Sequence, residues 1–383
     1  ASYAPIISGA ITNNGGFTKT GAGTLTQAGA MSGDGALTVA EGTLKLTAQN
    51  TRTGWTTSES PTNGATTIAS GATLDILSPT GRLYNNDGNG VRVNITVNGA
   101  LKLRRYGWTE DSLGHYADGS NFTVAGGTLE TTEVWSTNGI INCGAGGATF
   151  NFAQGATFGT DRGVVTTNGG FTKTGAGTLT FPSAASLSGS NAITIAGGTI
   201  AFNNPTVSNA ITVGAGATIK GTANLSGAVT FNDGAKIDAS ANELRLTNAN
   251  APTISGTVAV IPNAGAVKGS YIVKCSGTPD AATAEKLMVP GWSVTAVTTA
   301  GSTGYTLGLG VGDLPKPKEG DPTVYTPEAA RELAVMATKA GATSVTSVTA
   351  KTATGSTSGK LLSAAEASAA LGCFSNIASA SVT

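Results

Sequence analysis

The chain has 383 residues, of which 55 are glycine, and its 22 Lys plus Arg residues equal its 22 Asp plus Glu residues. This neutral balance, with no block of like charge, argues against nucleic acid or an anionic membrane as a partner, because both attract a basic surface. Charged residues make up only 11% of the sequence, well below an ordinary globular domain, yet 39% of residues are hydrophobic, which is enough to fold rather than remain disordered.

A polar, glycine-rich phrase stands near the start of the chain and returns almost unchanged. It reads NNGGFTKTGAGTLT at Asn13–Thr26 and TNGGFTKTGAGTLT at Thr167–Thr180. A glycine-rich segment with a lysine can bind phosphate, but this phrase lacks the spacing and the Gly-Lys-Ser/Thr ending of a P-loop. We predict strands joined by a glycine turn instead. The residues predicted to face the interior are Phe17, Leu25, Phe171 and Leu179, and those predicted to face solvent are Lys19 and Lys173.

A looser form of this pattern runs along most of the chain. Each unit has an apolar-Thr-apolar triplet, one or two small residues, a glycine and a second alternating segment. Alternating apolar residues indicate half-buried strands, and glycine suits the turn because it adopts positive φ without steric cost. The units begin at Leu37, Thr66, Ile95, Phe122, Ala148, Ile193, Ile211 and Val229.

The spacing of these units predicts the fold class. They recur at intervals of about 18 to 29 residues, the length of one coil of a β-solenoid. Coils bury their apolar edges only by stacking, at about 4.8 Å from one to the next. We therefore predict an all-β fold, a β-solenoid of strand-turn-strand coils over residues 1–310. A β-sandwich is the alternative, although its strands do not normally share one motif.

Several of these phrases resemble a known family. GGFTKTGAGTLT, NTRTGWTT at Asn50 and VAEGTLKL are similar to the autotransporter-associated β-strand repeat, also called the passenger-associated transport repeat. Phe17 and Phe171 replace the usual Leu, and Arg52 and Trp55 alter the middle element. The resemblance implies a right-handed β-helix in a secreted or surface-displayed bacterial protein.

The regular pattern stops after residue 310. Residues 311–325 combine prolines with alternating charges, which predicts a linker. In residues 326–383, Thr326 and Ser363 are suitable helix N-caps, so we predict one or two short helices. A segment so poor in bulky side chains builds little core of its own. We expect it to dock on the solenoid, on a neighbouring subunit or on the cell surface.

The richest group of reactive side chains is LRRYGWTEDSLGHYADG, at residues 103–119. Aromatic, arginine and carboxylate side chains on an inserted loop can hold a sugar or a protein partner, and an ordinary solvated loop is the alternative. Catalysis would require carboxylates, or Arg and Lys, gathered on one coil face, and no such cluster recurs at coil spacing. The residues predicted for glycan or partner contact are Arg104, Arg105, Tyr106, Trp108, His115 and Tyr116.

No cofactor or metal site is predicted. NNDGNG at Asn85–Gly90 alternates oxygen side chains as a calcium loop does, but its twelfth position is Thr96 rather than Glu, which favours a plain turn. Cys143, Cys275 and Cys373 lie far apart in a chain with one histidine, unlike a zinc site. Buried thiols, one disulfide and a bond between subunits remain open.

Together these features predict a secreted, non-catalytic structural protein, a solenoid subunit of an extracellular filament or surface layer. Assembly is expected through the solenoid ends and residues 326–383, so the main expected partner is a further copy of the chain. The start at Ala1 fits removal of a signal peptide, and no apolar run is long enough to span a membrane. A surface adhesin that binds glycans or a host partner through residues 103–119 is the alternative, and a polysaccharide-degrading β-helix enzyme is the third.

Overall fold

A computed structural model gives the architecture of the chain. It describes residues 4–33, 35–47, 65–76, 94–103, 121–137, 140–158, 164–166, 168–183, 185–246, 251–290, 292–299 and 302–310. The chain divides into two compact units, Ala1–Thr230 and Phe231–Thr383.

The described part of the first unit consists of short strands. In chain order they are β1 (Ile6–Ile7), β2 (Ile11–Thr12), β3 (Phe17–Lys19), β4 (Thr24–Gln27), β5 (Met31–Ser32), β6 (Leu37–Val39), β7 (Thr43–Leu46), β8 (Thr66–Ile68), β9 (Thr73–Ile76), β10 (Asn94–Val97), β11 (Ala100–Leu103), β12 (Asn121–Val124), β13 (Thr128–Thr131), β14 (Trp135–Thr137), β15 (Ile140–Cys143), β16 (Ala148–Phe152), β17 (Ala156–Phe158), β18 (Val164–Thr166), β19 (Phe171–Thr174), β20 (Thr178–Phe181), β21 (Ser186–Ser188), β22 (Ile193–Ile195), β23 (Thr199–Val207), β24 (Ile211–Val213) and β25 (Thr218–Leu225). β26 (Val229–Phe231) falls on the boundary between the units.

These strands form three faces in which neighbours run parallel. Face 1 has the order β1-β4-β7-β9-β11-β13-β16-β19-β22-β24. Face 2 is β14-β17-β20 and continues with the first half of β23. Face 3 is β3-β6-β8-β10-β12-β15-β18-β21 and continues with the second half of β23. β2 and β5 form a separate parallel pair.

Neighbouring strands in a face come from successive passes of the chain, each of which we call a coil. The register partners Ile193 and Ile211 are 18 residues apart, and Thr43 and Thr73 are 30 residues apart. A coil therefore has a variable length while its strands keep a fixed pairing. This arrangement confirms the predicted all-β parallel solenoid; the right-handed sense of the coils stays a prediction.

Columns of apolar side chains fill the interior of the first unit. On face 1 the register aligns Leu44, Leu74, Leu101 and Leu129, and each of them is at most 1% exposed. Burying one such side chain stabilises the fold by about 1.5–3 kcal/mol. Strands of three or four residues are stable here because every coil shares its column with the coils on both sides.

An aromatic cluster occupies the middle of the same interior. The Trp135 ring lies 5.7 Å from Phe158 and 6.3 Å from both Phe122 and Phe152, measured between centroids. Two of these contacts are edge-to-face, a geometry that adds to the gain from burial. The large rings therefore pack the core and present no aromatic surface to a ligand.

The outer surface of face 1 carries a column of alternating charge. Lys45, Asp75, Lys102 and Glu130 stand in register on four successive coils. Lys102 Nζ lies 3.6 Å from Glu130 Oε1. Opposite charges directly across neighbouring strands contribute about 0.2–1 kcal/mol, and like charges would oppose the pairing. The column thus favours the observed register.

The second unit combines parallel coils with an antiparallel end. Its elements after β26 are β27 (Ala235–Ala239), β28 (Leu244–Leu246), β29 (Thr253–Ile254), β30 (Val258–Pro262), β31 (Tyr271–Cys275), α1 (Ala281–Lys286), β32 (Leu287–Met288), β33 (Trp292–Thr299) and β34 (Ser302–Gly310). β27, β30 and β32 pair in parallel, as do β28 and β31. β34 instead pairs antiparallel with both β31 and β33.

This antiparallel hairpin was not anticipated by the sequence analysis, which assigned strand-turn-strand coils up to residue 310. Only two residues separate the end of β33 at Thr299 from the start of β34 at Ser302, and so short a connection allows only antiparallel pairing. The predicted linker at 311–325 and the predicted helices in 326–383 lie outside the described residues.

Candidate functional site

The residues predicted for glycan or partner contact lie outside the described part of the chain, as does the NNDGNG segment. These contact residues are Arg104, Arg105, Tyr106, Trp108, His115 and Tyr116. The described strands nevertheless fix where their segment begins and ends. It leaves face 1 at the end of β11 and reaches face 3 at the start of β12.

The two preceding coils make the same crossing with connections of similar length. Residues 47–65 join β7 to β8, and residues 77–93 join β9 to β10. β7, β9 and β11 are neighbours on face 1, and β8, β10 and β12 are neighbours on face 3. Three successive coils therefore begin and end their long connections at adjacent positions.

The described residue that departs most from expectation is the lysine of the repeated phrase. In the second copy, the Lys173 side chain is fully buried and stands in the core column between Phe150 and Ile195. Its Nζ donates hydrogen bonds to the carbonyl oxygens of Thr174, Gly175 and Gly197, at 2.6, 2.9 and 3.2 Å. The first two acceptors belong to its own turn, and the third to the turn of the next coil.

The first copy repeats this geometry. Lys19 is 6% exposed, and its Nζ donates to the carbonyl oxygens of Thr20, Gly21 and Glu41, at 2.9, 2.5 and 2.9 Å. The acceptors again comprise two from its own turn and one from the following coil. Each lysine therefore ties two stacked turns together, an arrangement we call the corner clip.

Glycines make the close approach of the stacked turns possible. Gly198 has a φ of +65°, and a Cβ added there would lie 2.3 Å from Gly175 O and 2.8 Å from Lys173 Nζ. Gly42 has the same role in the first copy, with a φ of +63° and an added Cβ 2.5 Å from Gly21 O. Any side chain at either position would separate the carbonyls from the ammonium group.

The corner clip overturns the prediction that Lys19 and Lys173 face solvent. The alternation of the strand already contained the answer, because Lys19 lies two residues after Phe17 and so shares its face. The charge of lysine favours a solvent-facing position, but the alternation of the strand decides the direction of the side chain. The interior positions of Phe171 and Leu179 are confirmed, while Phe17 and Leu25 are half-buried.

Burial also changes the acid-base chemistry of the clip. Removal from water lowers the pKa of Lys173 from its ordinary value of 10.5 to about 8, because a low-dielectric interior disfavours the charged form. The three carbonyl dipoles are the groups that compensate this loss of hydration. Full burial leaves the amine with no route to a substrate, so its chemical role is structural.

The two copies of the phrase do not occupy the same face. Phe17–Lys19 lies on face 3 and leads to face 1, whereas Phe171–Thr174 lies on face 1 and leads to face 2. The phrase therefore encodes a corner between two faces and not one particular side of the coil. Its repetition reflects a need to close corners.

Asparagine side chains also connect successive coils at their corners. Asn209 Nδ2 donates to Asn191 O at 2.7 Å, and Asn191 Nδ2 in turn donates to Asn168 O. In the first two coils, Asn13 Nδ2 donates to Gly35 O at 2.9 Å. These bonds satisfy turn carbonyls that the strand ladders do not reach. Sequence analysis missed them, although an asparagine before each of three neighbouring units was visible.

Two of the three cysteines are buried thiols. Cys143 and Cys275 are 1% and 5% exposed and are not joined in a disulfide. Burial raises the pKa of Cys143 to about 12 and also raises the pKa of Cys275. A protonated thiol is a poor nucleophile, so both act as small core residues. Cys373 lies outside the described residues.

Coil 1, formed by β1, β2 and β3, presents a strand edge that no other described strand covers. β1 and β3 stand at the ends of their sheets, and β2 pairs only with β5 among the described strands. Ile6 is 66% exposed. Ile11 and Phe17 are half-buried, although their register partners Met31 and Leu37 are fully buried.

In the second unit, by contrast, a helix covers the edge of β29. Asp280 caps this helix by accepting a hydrogen bond from the backbone N–H of Thr283 at 2.8 Å. Lys286, in the last turn of α1, donates from Nζ to Ile254 O of β29 at 2.7 Å. A helix placed over a strand edge prevents the edge from pairing with another chain.

Within the described residues, no group of three or more His, Cys, Asp or Glu side chains is placed to hold a metal ion. In the same part of the chain, no helix has the length and hydropathy needed to cross a membrane. Comparison with protein-family models, with curated proteins and with solved structures found no match to this chain.

Proposed function

We propose that this chain is a secreted, non-catalytic structural protein, a β-solenoid subunit of an extracellular filament or surface layer. The observation that carries this proposal is the corner clip. The two most distinctive phrases in the sequence use their lysines, Lys19 and Lys173, to hold stacked turns together. In many proteins a lysine amine is exposed and reactive, but in this chain both lysine amines are buried and hold neighbouring coils in contact.

The packing of the described core supports the same role. Its columns of Leu, Ile, Val and Phe and its aromatic cluster fill the space between the faces. The thiols of Cys143 and Cys275 are protonated and buried. The resemblance of the repeated phrase to the autotransporter-associated repeat supports secretion or display on a cell surface.

Electron microscopy of the full chain at high concentration tests the proposal directly. We expect filaments or ordered sheets, and we expect them to be lost when residues 311–383 are deleted, because assembly is proposed to use that segment as well as the solenoid ends. A protein that remains monomeric at every concentration, with or without residues 311–383, would refute a role in assembly.

A surface adhesin is the second candidate, favoured by the three adjacent long connections. Residues 47–65, 77–93 and 104–120 all join face 1 to face 3 in successive coils, and inserted loops are where solenoids usually place their binding residues. A glycan array should then give a signal that Trp108→Ala and Tyr116→Ala both abolish. No signal, or a signal unchanged in both variants, would exclude the adhesin.

A further inference from the structure

We propose that the outer surface of the four-stranded sheet in the second unit binds an acidic sugar, whose carboxylate is held by Arg245 and Lys274. This binding goes beyond the proposed structural role and does not depend on it. The sheet has the strand order β28-β31-β34-β33. Both cations lie on its solvent side, where the side chains of Arg245 and Lys274 are 51% and 36% exposed.

The pairing of β28 with β31 places two positive charges side by side. Arg245 and Lys274 are register partners on these neighbouring strands, and like charges directly opposite each other destabilise a pair of strands. Glu243 offsets part of this repulsion, because its Oε1 lies 3.0 Å from Arg245 Nη2 and 3.1 Å from Lys274 Nζ. Among the described residues it is the only carboxylate paired with either cation. The cluster therefore keeps one net positive charge.

The guanidinium group of Arg245 keeps donors that Glu243 does not use. Its Nε also donates to Glu243 Oε1, at 3.1 Å, so one edge of the group faces this single oxygen. The group carries five N–H donors in a planar fork, and no described residue accepts from its Nη1. A carboxylate fits such a fork through two parallel hydrogen bonds. The free donors and the net charge together favour an anionic oxygen group as the ligand.

An aromatic ring holds the second cation in place. Lys274 Nζ lies 4.9 Å from the centre of the half-buried Tyr271 ring, which is a cation–π contact. Glu243 and this ring thus order the ammonium group before any ligand arrives. A group that is already ordered loses less entropy on binding, so the site is prepared for an anion.

The row of residues beside Lys274 has a gap in its side chains. Lys274 is the register partner of Gly304 on β34, and Gly304 is the partner of Val297 on β33. Gly304 has a φ of +152°, and a Cβ added there would overlap Val273 O, so only glycine fits at this position. The row therefore has no side chain between the cations and the half-buried Val297.

The two parts of this row match the two parts of a uronate sugar. The carboxylate suits Arg245 and Lys274, and the C–H groups on the face of the sugar ring suit the gap at Gly304 and the apolar border at Val297. A mineral anion would use the cations alone. The row therefore favours an anion that is attached to a ring.

The site is shallow, so a single sugar should bind weakly. Both cations are partly exposed, and salt screens charges of this kind. We expect a dissociation constant of about 1 mM for a short uronate chain, at the weak end of the affinity scale. A long uronate polymer would bind more tightly to an assembly that repeats the site, because it could occupy several sites at once.

Isothermal titration calorimetry of the full chain with trigalacturonate tests the proposal. We expect binding at low salt that weakens as salt is added. The methyl ester of trigalacturonate is the matched control ligand, because it keeps the sugar rings and loses the charge, and it should not bind. Inorganic phosphate should bind more weakly than trigalacturonate, since it has no ring to place against Val297.

Variants of the charged residues locate the site. Arg245→Gln and Lys274→Gln should each raise the dissociation constant for trigalacturonate about three- to fivefold, the range expected for a partly exposed charge pair. Lys236→Gln is the control, because Lys236 is an exposed lysine of β27 in the same unit, and it should change nothing. Glu243→Gln removes the competing carboxylate and should tighten binding by a similar factor. Circular dichroism should show that all four variants are folded.

Several results would overturn the inference. They are no binding of trigalacturonate at low salt, equal binding of its methyl ester, equal effects of Arg245→Gln and Lys236→Gln, and weaker binding by Glu243→Gln. Inorganic phosphate that binds as tightly as trigalacturonate would show a site for a mineral anion and would overturn the assignment to a sugar.

These measurements are separate from the test of the proposed function. A chain that forms filaments without binding trigalacturonate would refute the sugar site alone. A chain that binds trigalacturonate and never assembles would refute the filament alone.

Discussion

Replacing Lys173 with methionine tests whether the corner clip holds neighbouring coils together. Methionine keeps most of the length of the side chain and fits the apolar column between Phe150 and Ile195, but it cannot donate to the three carbonyl oxygens. The change therefore removes the clip with little change in packing. Lys220→Met is the matched control, because Lys220 lies on the outer side of β25, where it is half-exposed.

Two opposing effects set the size of the expected change. The fall in the pKa of Lys173 from 10.5 to about 8 means that burying the charged form costs about 3 kcal/mol, and the substitution removes this cost. The lost hydrogen bonds from a charged donor were worth about 1.5–3 kcal/mol each. The three bonds together outweigh the removed cost, so the net loss of stability is about 1.5–6 kcal/mol, and the carbonyls of Thr174, Gly175 and Gly197 remain without their donor.

Hydrogen exchange at the clipped turns is the most direct assay. The amides of Ala196 and Gly197 bond to the backbone carbonyl of Lys173, at 2.9 and 3.2 Å, so they report opening between the two coils. A loss of at least about 1.5 kcal/mol should accelerate their exchange by at least about tenfold. If Lys173→Met and Lys220→Met gave the same exchange rates and the same urea midpoint, the clip would contribute nothing and the reasoning would fail.

Three further predictions concern the pKa of Lys173, the close approach at Gly198 and the two buried cysteines. Between pH 8 and 10.5 the folded state binds fewer protons at Lys173 than the unfolded state does. The free energy of unfolding of the wild type, relative to that of Lys173→Met, should therefore rise with pH across that window. A constant or falling difference between the two free energies, measured by urea unfolding, would contradict this. Gly198→Ala should lower the free energy of unfolding by more than about 2 kcal/mol. Gly216→Ala is the control, because Gly216 has a similar φ but nothing lies within 4 Å of the added Cβ, and it should lower that free energy by only about 1 kcal/mol. Equal shifts of the melting temperature in the two variants would argue against close stacking of the turns. Cys143 and Cys275 should resist thiol reagents at pH 8 until the protein unfolds, and rapid labelling of either in the native state would show that its burial is wrong.

The strands of the solenoid could be predicted because their signal is local. Alternation such as Ile193-Thr194-Ile195 fixes which side chains face inward, and the glycine that follows fixes the turn. The same rule would have placed Lys19 and Lys173 inside. The charge of these lysines argued against it, and the carbonyl acceptors that outweigh the charge belong partly to a coil more than 20 residues away.

The antiparallel hairpin and α1 were harder to predict from sequence. Alternating residues in β33 and β34 are compatible with either strand direction, and only the pairing partners decide between them. α1 has a weak signal in Asp280, three residues before Thr283, but six residues are too few for a helical period to show. The residues predicted for glycan contact, such as Trp108, stay a prediction, since they lie outside the described residues.

The placement of the two phrases on different faces also has a consequence for how such chains lengthen. Because the phrase closes a corner, inserting one more strand and corner moves every later segment to the next face instead of adding a whole coil. Thr18 and Thr172, equivalent in sequence, thus stand on face 3 and face 1. A segment is therefore displayed on a side of the first unit that depends on how many corners precede it in the chain. Its own sequence does not set that side. Evolution could in this way redirect a surface feature around the stack without altering a residue of the feature itself.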